Sequence, residues 1–334
     1  MRLSKALFLC ILALLCTTDI YGQKKRAQTS MKFLSVSPSP RASAMSEAVT
    51  SVEMGAYSAL YNPATMAYIN GTYTASVGAV QWIADINHNS ASLVYQPADG
   101  KYGVIGVNAI SVDYGEILST ARADNEQGYV DLGTINPTAF AVGLSYANAI
   151  TDQFSVGANF RYSNQNLGKA AVTMDGSGGY ELQSFSAGTG VLDFGVLYKT
   201  GFESLNFGMA LRNFSPEVSY DDEGAELPLT FKIGISMDVL DLSNLDPDVH
   251  SLLVSIDANR PRDYDEQLLF GLEYTFIDRF VIRGGYGFPK DEEQLTFGAG
   301  IKQPIGPMVL SVDYSYTQFG VFGEVNRFSA QIGF

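Results

Sequence analysis

From Thr72 to Phe334 the chain repeats one pattern, a run of alternating polarity followed by a turn or a polar loop. Between Gln153 and Ser163, Phe154, Val156, Ala158, Phe160 and Tyr162 alternate with Ser155, Gly157, Asn159, Arg161 and Ser163. In 308–316, Leu310, Val312, Tyr314 and Tyr316 oppose Ser311, Asp313 and Ser315; in 229–239, Phe231, Ile233, Ile235 and Met237 oppose Thr230, Lys232, Gly234, Ser236 and Asp238. Successive side chains of a strand point to opposite faces, so each segment has one greasy and one wet side. The pattern predicts strands near 72–80, 88–96, 101–112, 136–149, 153–163, 189–199, 203–213, 228–239, 249–259, 265–276, 278–287, 293–303, 307–317 and 325–334. These fourteen form an even set, as a single-chain membrane barrel with both ends on one side requires.

The linkers sort in the same sense. Even-to-odd connections are short: Pro97 to Gly100, Ile150 to Asp152, Thr200 to Phe202, Ile277 and Pro304-Ile305-Gly306, with Leu240 to Asp248 the one longer case. The odd-to-even set holds the long gaps, Asp113 to Ile135, Asn164 to Gly188 and Phe214 to Leu227. Outer-membrane barrels place short turns on the periplasmic side and longer loops outside, whereas a soluble sandwich has no reason to alternate in this way. The last strand carries Phe328, Ala330, Ile332 and the terminal Phe334 on one face, the form of a carboxy-terminal assembly signal for such barrels. The expected fold is therefore all-β: a fourteen-stranded antiparallel transmembrane β-barrel over 72–334, preceded by a small plug-like segment over 23–71.

Composition narrows the class further. Residues 1–22 read as a signal peptide, with Arg2 and Lys5 before an apolar stretch from Ala6 to Cys16 and a cleavage site at Ile20-Tyr21-Gly22, so the exported chain starts near Gln23. Both cysteines, Cys10 and Cys16, fall inside that leader, which leaves no thiol for a disulfide, a zinc site or a nucleophile. Beyond Cys16 no apolar run reaches helix-spanning length. The net charge of -14 lacks the basic face that phosphate neutralisation demands, which excludes a nucleic-acid partner.

The inward phase of the strands carries isolated charges of both signs: Arg161, Asp193, Lys232, Asp238, Asp257, Glu273, Arg283, Lys302 and Asp313. They are expected either as ion pairs lining the wall or as a substrate path. Fourteen strands enclose more space than an eight-stranded barrel fills with side chains, so something must occupy the lumen. The small, apolar segment from Arg41 to Tyr68, with its Asn62-Pro63 turn, suits an interior plug; a helix packed under the barrel is the other arrangement its composition allows.

Pro40-Arg41-Ala42, Ala44-Met45 and Tyr57-Ser58-Ala59-Leu60-Tyr61-Asn62-Pro63-Ala64 together resemble the amino-terminal signature of the PorV/PorQ family, within the FadL-like group of outer-membrane barrels. Asp313-Tyr314-Ser315-Tyr316, Phe319 to Gly323 and Arg327-Phe328-Ser329 are similar to that family's last hairpin. Ser46 stands where the family usually has Gly after the Met, and Thr65 where Gly commonly follows Asn-Pro-Ala. The resemblance implies a part in the type IX secretion system of Bacteroidota. Its partners there would be outer-membrane lipid, the translocon, attachment-complex subunits and the carboxy-terminal domains of cargo. The same group contains transporters of hydrophobic small molecules, a second implied reading; a passive structural partner of the outer membrane is a third.

No catalytic constellation emerges. His88 and His250 lie in different strands, and no HExxH, CxxC, GxSxG or P-loop spacing occurs, so neither an enzyme nor a bound cofactor is expected. The Phe214 to Leu227 loop carries Glu217, Asp221, Asp222, Glu223 and Glu226 without a base. Its natural complement is a basic patch on a partner or lipopolysaccharide bridged by divalent ions, and solubility is the plain alternative. Asp221-Asp222-Glu223-Gly224 lacks calcium-ligand spacing.

Overall fold

A computed structural model describes residues 29–69, 71–174, 180–290 and 293–334. The expected leader 1–22, both cysteines and the start near Gln23 lie outside the described residues.

Fourteen strands close an antiparallel barrel in which each pairs with its sequence neighbours and the first pairs with the last. They are β1 Tyr73–Gln81, β2 Asn87–Tyr95, β3 Val104–Asp113, β4 Thr138–Ala149, β5 Phe154–Met174, β6 Tyr180–Lys199, β7 Asn206–Phe214, β8 Thr230–Asp238, β9 His250–Pro261, β10 Gln267–Phe276, β11 Phe280–Phe288, β12 Leu295–Ile305, β13 Met308–Gln318 and β14 Glu324–Gly333. The closing seam sets Thr74 opposite Gly333 and Gln81 opposite Asn326. Phe334 locks it: its carbonyl accepts from the Thr72 and Tyr73 amides at 2.6 and 2.8 Å, and its ring stacks on Tyr73 at 5.1 Å. Phe328 and Phe334 both face outward.

Tyr73 and Phe334 mark the near end, where the connections are short. One of them, between β10 and β11, turns on Ile277 and Asp278, both at a φ of 48°, the left-handed geometry that matches strand twist in a hairpin. The far end carries the long connections. Outward positions are aromatic or aliphatic along most strands, as in Phe140, Val142, Leu144 and Tyr146 of β4, all exposed. That is the surface a bilayer takes up. No helix among the described residues is long and apolar enough to cross a membrane; the strands carry the greasy surface.

Two far-end loops hold more structure than periodicity predicts. The expected strands 153–163 and 189–199 continue as one long hairpin, with pairing carried through bulges near Gly168 and Val172 to Met174 opposite Tyr180. The Asp113 to Ile135 gap holds a further hairpin, Ile117–Arg122 with Tyr129–Ile135. Beyond the bilayer both faces of a ribbon meet water, so the alternation that marks a membrane strand disappears while the backbone ladder continues. The 214–227 loop adds only a two-residue ladder, Val218–Ser219 with Gly224–Ala225.

Residues 31–69 lie within the barrel. They form a turn at Lys32–Ser35, helix α1 Pro40–Ala44, helix α2 Ser58–Tyr61 and a final turn at Pro63–Tyr68. Ser39 caps α1 by accepting from the Ala42 amide, and Pro40 fills the first helical position. Helices this short have no stability of their own, so packing holds them. Met31, Leu34, Met45, Leu60 and Met66 are all buried, and the core of the molecule is this segment against the inner wall.

The wall makes room for it with cross-strand glycine pairs: Gly157 with Gly195, Gly208 with Gly234, and Gly271 with Gly285. A Cβ on Gly157 would sit 2.4 Å from the Pro63 carbonyl carbon, one on Gly208 2.4 Å from the Thr50 oxygen, and one on Gly285 2.3 Å from the Ser46 nitrogen. Only a bare backbone admits this approach. Gly285, in the Gly284-Gly285-Tyr286-Gly287 run, is therefore a contact point for the plug backbone.

Candidate functional site

The residues singled out in the sequence fall into two zones, a seam between plug and wall and an open vestibule above it.

Arg41 anchors the seam. Its Nε and Nη2 donate to the two carboxylate oxygens of Glu273, each at 2.7 Å, and its Nη1 to the Glu53 carbonyl at 2.8 Å. Arg283 donates to the same Glu273 at 2.5 Å and to Asp313 at 2.6 Å. Sequence reasoning placed Arg41 in the plug and the other three on the wall; the fold joins them into one chain of alternating charge. Such bidentate, charge-assisted pairs offset the cost of burying ions.

Met45, fully buried, fills the space over Gly271 and Gly285. Ser46 and Glu47, which follow it, have φ of 52° and 63°, which explains why a glycine suits position 46. Glu47 then pairs with Lys232 of β8 at 3.1 Å. Burial works against its charge, but Lys232, Arg212 and Lys290 outweigh that and hold its carboxyl at about 2. Asp257 of β9 accepts from the Thr50 amide at 3.0 Å and from its hydroxyl at 2.6 Å.

Asn62 closes the other side of the plug. Its Nδ2 donates to the Thr50 and Val196 carbonyls at 2.7 and 3.0 Å, and its Oδ1 accepts from the Ala64 amide, capping the turn that Pro63 opens. Within the wall, Arg161 and Asp193 pair at 2.8 Å, with Asn159 and Asn213 completing the cluster.

Two charges of inward phase join neither the plug nor these wall clusters. Lys302 lies by the near rim, where it pairs with Asp278 of the turn, because its strand position is too close to the end to face the plug. Asp238 caps the turn after β8 by accepting from the Leu240 and Leu252 amides. Arg212 and Arg327 are the buried cations the site reading passed over. The first lies over the Tyr61 ring, and the second donates to the Ser37 carbonyl and lies over Trp82. Their inward strand phase was the available signal.

Above the plug the lumen opens at the far end into a vestibule of about 720 Å³. Glu47, Arg212 and Lys232 form part of its floor, while Trp82, Tyr264, Lys290, Phe319 and Phe322 stand around it. The start of the described chain borders this space. The Ser30 amide donates to the Glu226 carbonyl at 2.8 Å, its hydroxyl meets Tyr220, and Lys32 pairs with Asp263 and covers the Tyr264 ring at 4.9 Å. Gln165 bridges the rim by donating to Tyr114 and accepting from Tyr220; burial pushes the Tyr114 phenol up to about 12.

The acidic loop lies beside this opening. Glu217, Asp221, Asp222, Glu223 and Glu226 are all exposed. Glu226 has a basic neighbour outside the loop, Arg262 at 3.5 Å, and Asp221 accepts from Gln183 at 3.2 Å. Among the described residues, no three His, Cys, Asp or Glu side chains are grouped to hold a metal ion.

A sequence model of the type IX secretion system protein PorV matches residues 21–255. No curated protein matches the chain. Among solved structures, the fold is similar to the toluene transporter TbuX of Ralstonia pickettii (15% identity, 88% of this chain and 96% of that one, TM-score 0.58). It is also similar to the toluene transporter TodX of Pseudomonas putida (11% identity, 88% and 96%, TM-score 0.58). A FadL homologue of Pseudomonas aeruginosa gives 11% identity, 89% and 98% coverage and a TM-score of 0.53. These likenesses describe the shared FadL-like barrel. With the family model spanning well over half of its length, the chain belongs to the family of the type IX secretion system protein PorV.

Proposed function

We propose that this barrel serves type IX secretion by holding protein partners at its far end, namely the translocon and attachment-complex subunits and the carboxy-terminal domains of exported cargo. Family and fold point to the outer membrane, with the far end outside the cell. The observation that carries the reading is the contrast within the lumen: a floor sealed by buried ion pairs beneath a vestibule lined by aromatic rings and charges of both signs. Aromatic residues that pack on an apolar partner, with charged groups that fix its register, are the usual make-up of a protein-binding surface. A conduit for hydrophobic molecules needs a continuous apolar path, and the plug, tied to the wall by the Arg41–Glu273–Arg283–Asp313 chain, occupies the lumen where that path would run. The acidic rim at 217–226 adds a complement for a basic partner surface. This reading makes the chain a binding and positioning component without catalysis.

The test is a strain lacking the gene. Cargo bearing the shared carboxy-terminal domain should accumulate inside the cell and disappear from the surface, while uptake of long-chain or aromatic hydrocarbons stays unchanged. Normal surface attachment of cargo would overturn the reading, and a loss of hydrocarbon uptake would replace it with transport.

A further inference from the structure

Among the described residues four cations border the vestibule, and three of them have a carboxylate. Lys32 meets Asp263, Lys232 meets Glu47 at 3.1 Å, and Lys290 meets Glu293 at 3.8 Å. Arg212 has none. It is 7% exposed, its Nε is buried without a hydrogen-bond partner, and among the described residues no oxygen accepts from its guanidinium. The Tyr61 ring centre lies 5.3 Å from the guanidinium carbon, and Glu47 contributes its field but makes its contact with Lys232. A ring face and a charge out of contact offset part of the cost of burying an ion, yet neither accepts a hydrogen bond in the plane of the fork.

A second unmet group stands close by on the wall. Arg212 of β7 lies directly across from Thr230 of β8, and Asn259 of β9 directly across from Lys232, two residues along β8. Asn259 donates from Nδ2 to Gln267 at 2.9 Å, but its Oδ1 is buried and receives no donor. Both residues border the vestibule, whose volume of about 720 Å³ falls among sites that enclose small molecules, about 300–1,000 Å³. Arg212 therefore lacks an acceptor and Asn259 a donor at the edge of one open space.

Charge selects the acceptor. One unpaired cation balances one negative charge, and a guanidinium fork matches the two oxygens of a carboxylate. A phosphate monoester brings about −1.5 to −2 at neutral pH, an excess that would face Glu47 with no further free cation. A fatty acid brings the single charge but no donor for Asn259.

We propose that Arg212 anchors a carboxylate-binding site in the vestibule, for a ligand that carries one negative charge with a hydrogen-bond donor beside it: the last residue of a polypeptide entering from the far end, or a small free hydroxy acid. The site deepens the partner-binding reading and rests on it only for the source of the carboxylate. Arg212 is then held at a cost to the fold, as groups kept for binding often are.

Calorimetric titration of the full-length chain in detergent tests it with four probes: acetyl-alanyl-phenylalanine, the same dipeptide as its carboxamide, gluconate, and glucose 6-phosphate. At least one of the two carboxylates should bind saturably, at least tenfold more tightly than the carboxamide and the phosphate. Binding of the dipeptide acid alone assigns the site to a chain end, and binding of gluconate alone to a free acid. No saturable heat with either acid, equal binding of acid and carboxamide, or tighter binding of the phosphate would overturn the proposal. Arg212→Met should weaken the acid at least tenfold and yet unfold at the same urea concentration as the parent or a higher one, because it removes an unpaired buried charge. Earlier unfolding of that variant would place Arg212 in the structural framework and contradict the proposal. Thr230→Asp gives Arg212 an internal carboxylate from the facing strand position, so it should also abolish acid binding; parent-like binding there counts against the site. If the gene deletion blocks export while neither acid binds, the site fails and the secretion reading stands. If an acid binds through Arg212 while the deletion leaves export normal, the secretion reading fails and the site stands.

Discussion

The plug seam and the vestibule use the same kinds of residue for opposite ends. In the seam, Arg41, Glu273, Arg283 and Asp313 satisfy one another in a dry space, and Lys232 meets Glu47 beside them. In the vestibule, Lys290 and Glu293 are 3.8 Å apart at the edge of an open volume, and Trp82, Phe319 and Phe322 frame it. Charges that face only one another hold one arrangement; Lys290 and Glu293 of the vestibule are paired too, but they also border an open space where a partner can meet them. Stability should therefore reside in the seam and recognition in the vestibule, and substitutions in the two zones should separate these properties.

The largest effect is expected at Glu273. Glu273→Ala leaves two guanidinium groups facing each other with no anion between them, and removing one partner of a buried pair costs about 3–5 kcal/mol. Unfolding in urea, followed by loss of the compact form on gels, should show a loss of that size. A change under about 1 kcal/mol would mean that the seam is wetter than its geometry implies.

Next comes Glu47. Its carboxyl, ordinarily near 4.5, is held at about 2 in the fold, so the pair with Lys232 stabilises the protein above the ordinary value, and the contribution fades as pH falls from about 5 to 2. At neutral pH Glu47→Gln should be less stable than the parent by on the order of 2–3 kcal/mol, and the gap should close by pH 2. A difference that does not vary with pH over this range would assign the effect to packing instead.

A smaller loss is expected from Gly157→Val. The added side chain meets the backbone of Pro63, which cannot rotate away, and overpacking of this kind costs about 1–3 kcal/mol. The plug should shift, and conductance in planar bilayers would report whether the lumen has opened.

These tests bear on what could be read before the structure. Strand number and strand order were legible because a bilayer forces every lipid-facing position to be apolar, and alternation then marks each strand. A plug was expected from the composition of the segment before β1 and from the volume that fourteen strands leave unfilled. The joining of Arg41 to Glu273 was not, since residues 232 positions apart meet only through barrel closure. Nor was the extension of β5 and β6, because a ribbon standing in water on both faces loses its hydrophobic period. Nor was the seat for the plug: the glycines at 157, 195, 208, 234, 271 and 285 make it by pairing across strands, which is a property of register.

The smallest effect on stability and the sharpest on function should come from the vestibule. Phe322 is 61% exposed and Tyr264 45%, and both line the vestibule, so Phe322→Ser with Tyr264→Ser removes little buried area and leaves no ion stranded in the interior. Exposed substitutions of this sort change stability by about 0.5 kcal/mol or less. Aromatic and charged residues at the centre of a recognition surface, in contrast, carry much of its binding, so recovery of the secretion partner with the affinity-isolated barrel should fall about tenfold or more. The two measurements must diverge: a barrel that unfolds as the parent does and yet loses its partner separates the zones. If the vestibule pair destabilises the chain as much as Gly157→Val does, Phe322 and Tyr264 belong to the same framework as Arg41, and the division between a structural floor and a recognising mouth is wrong.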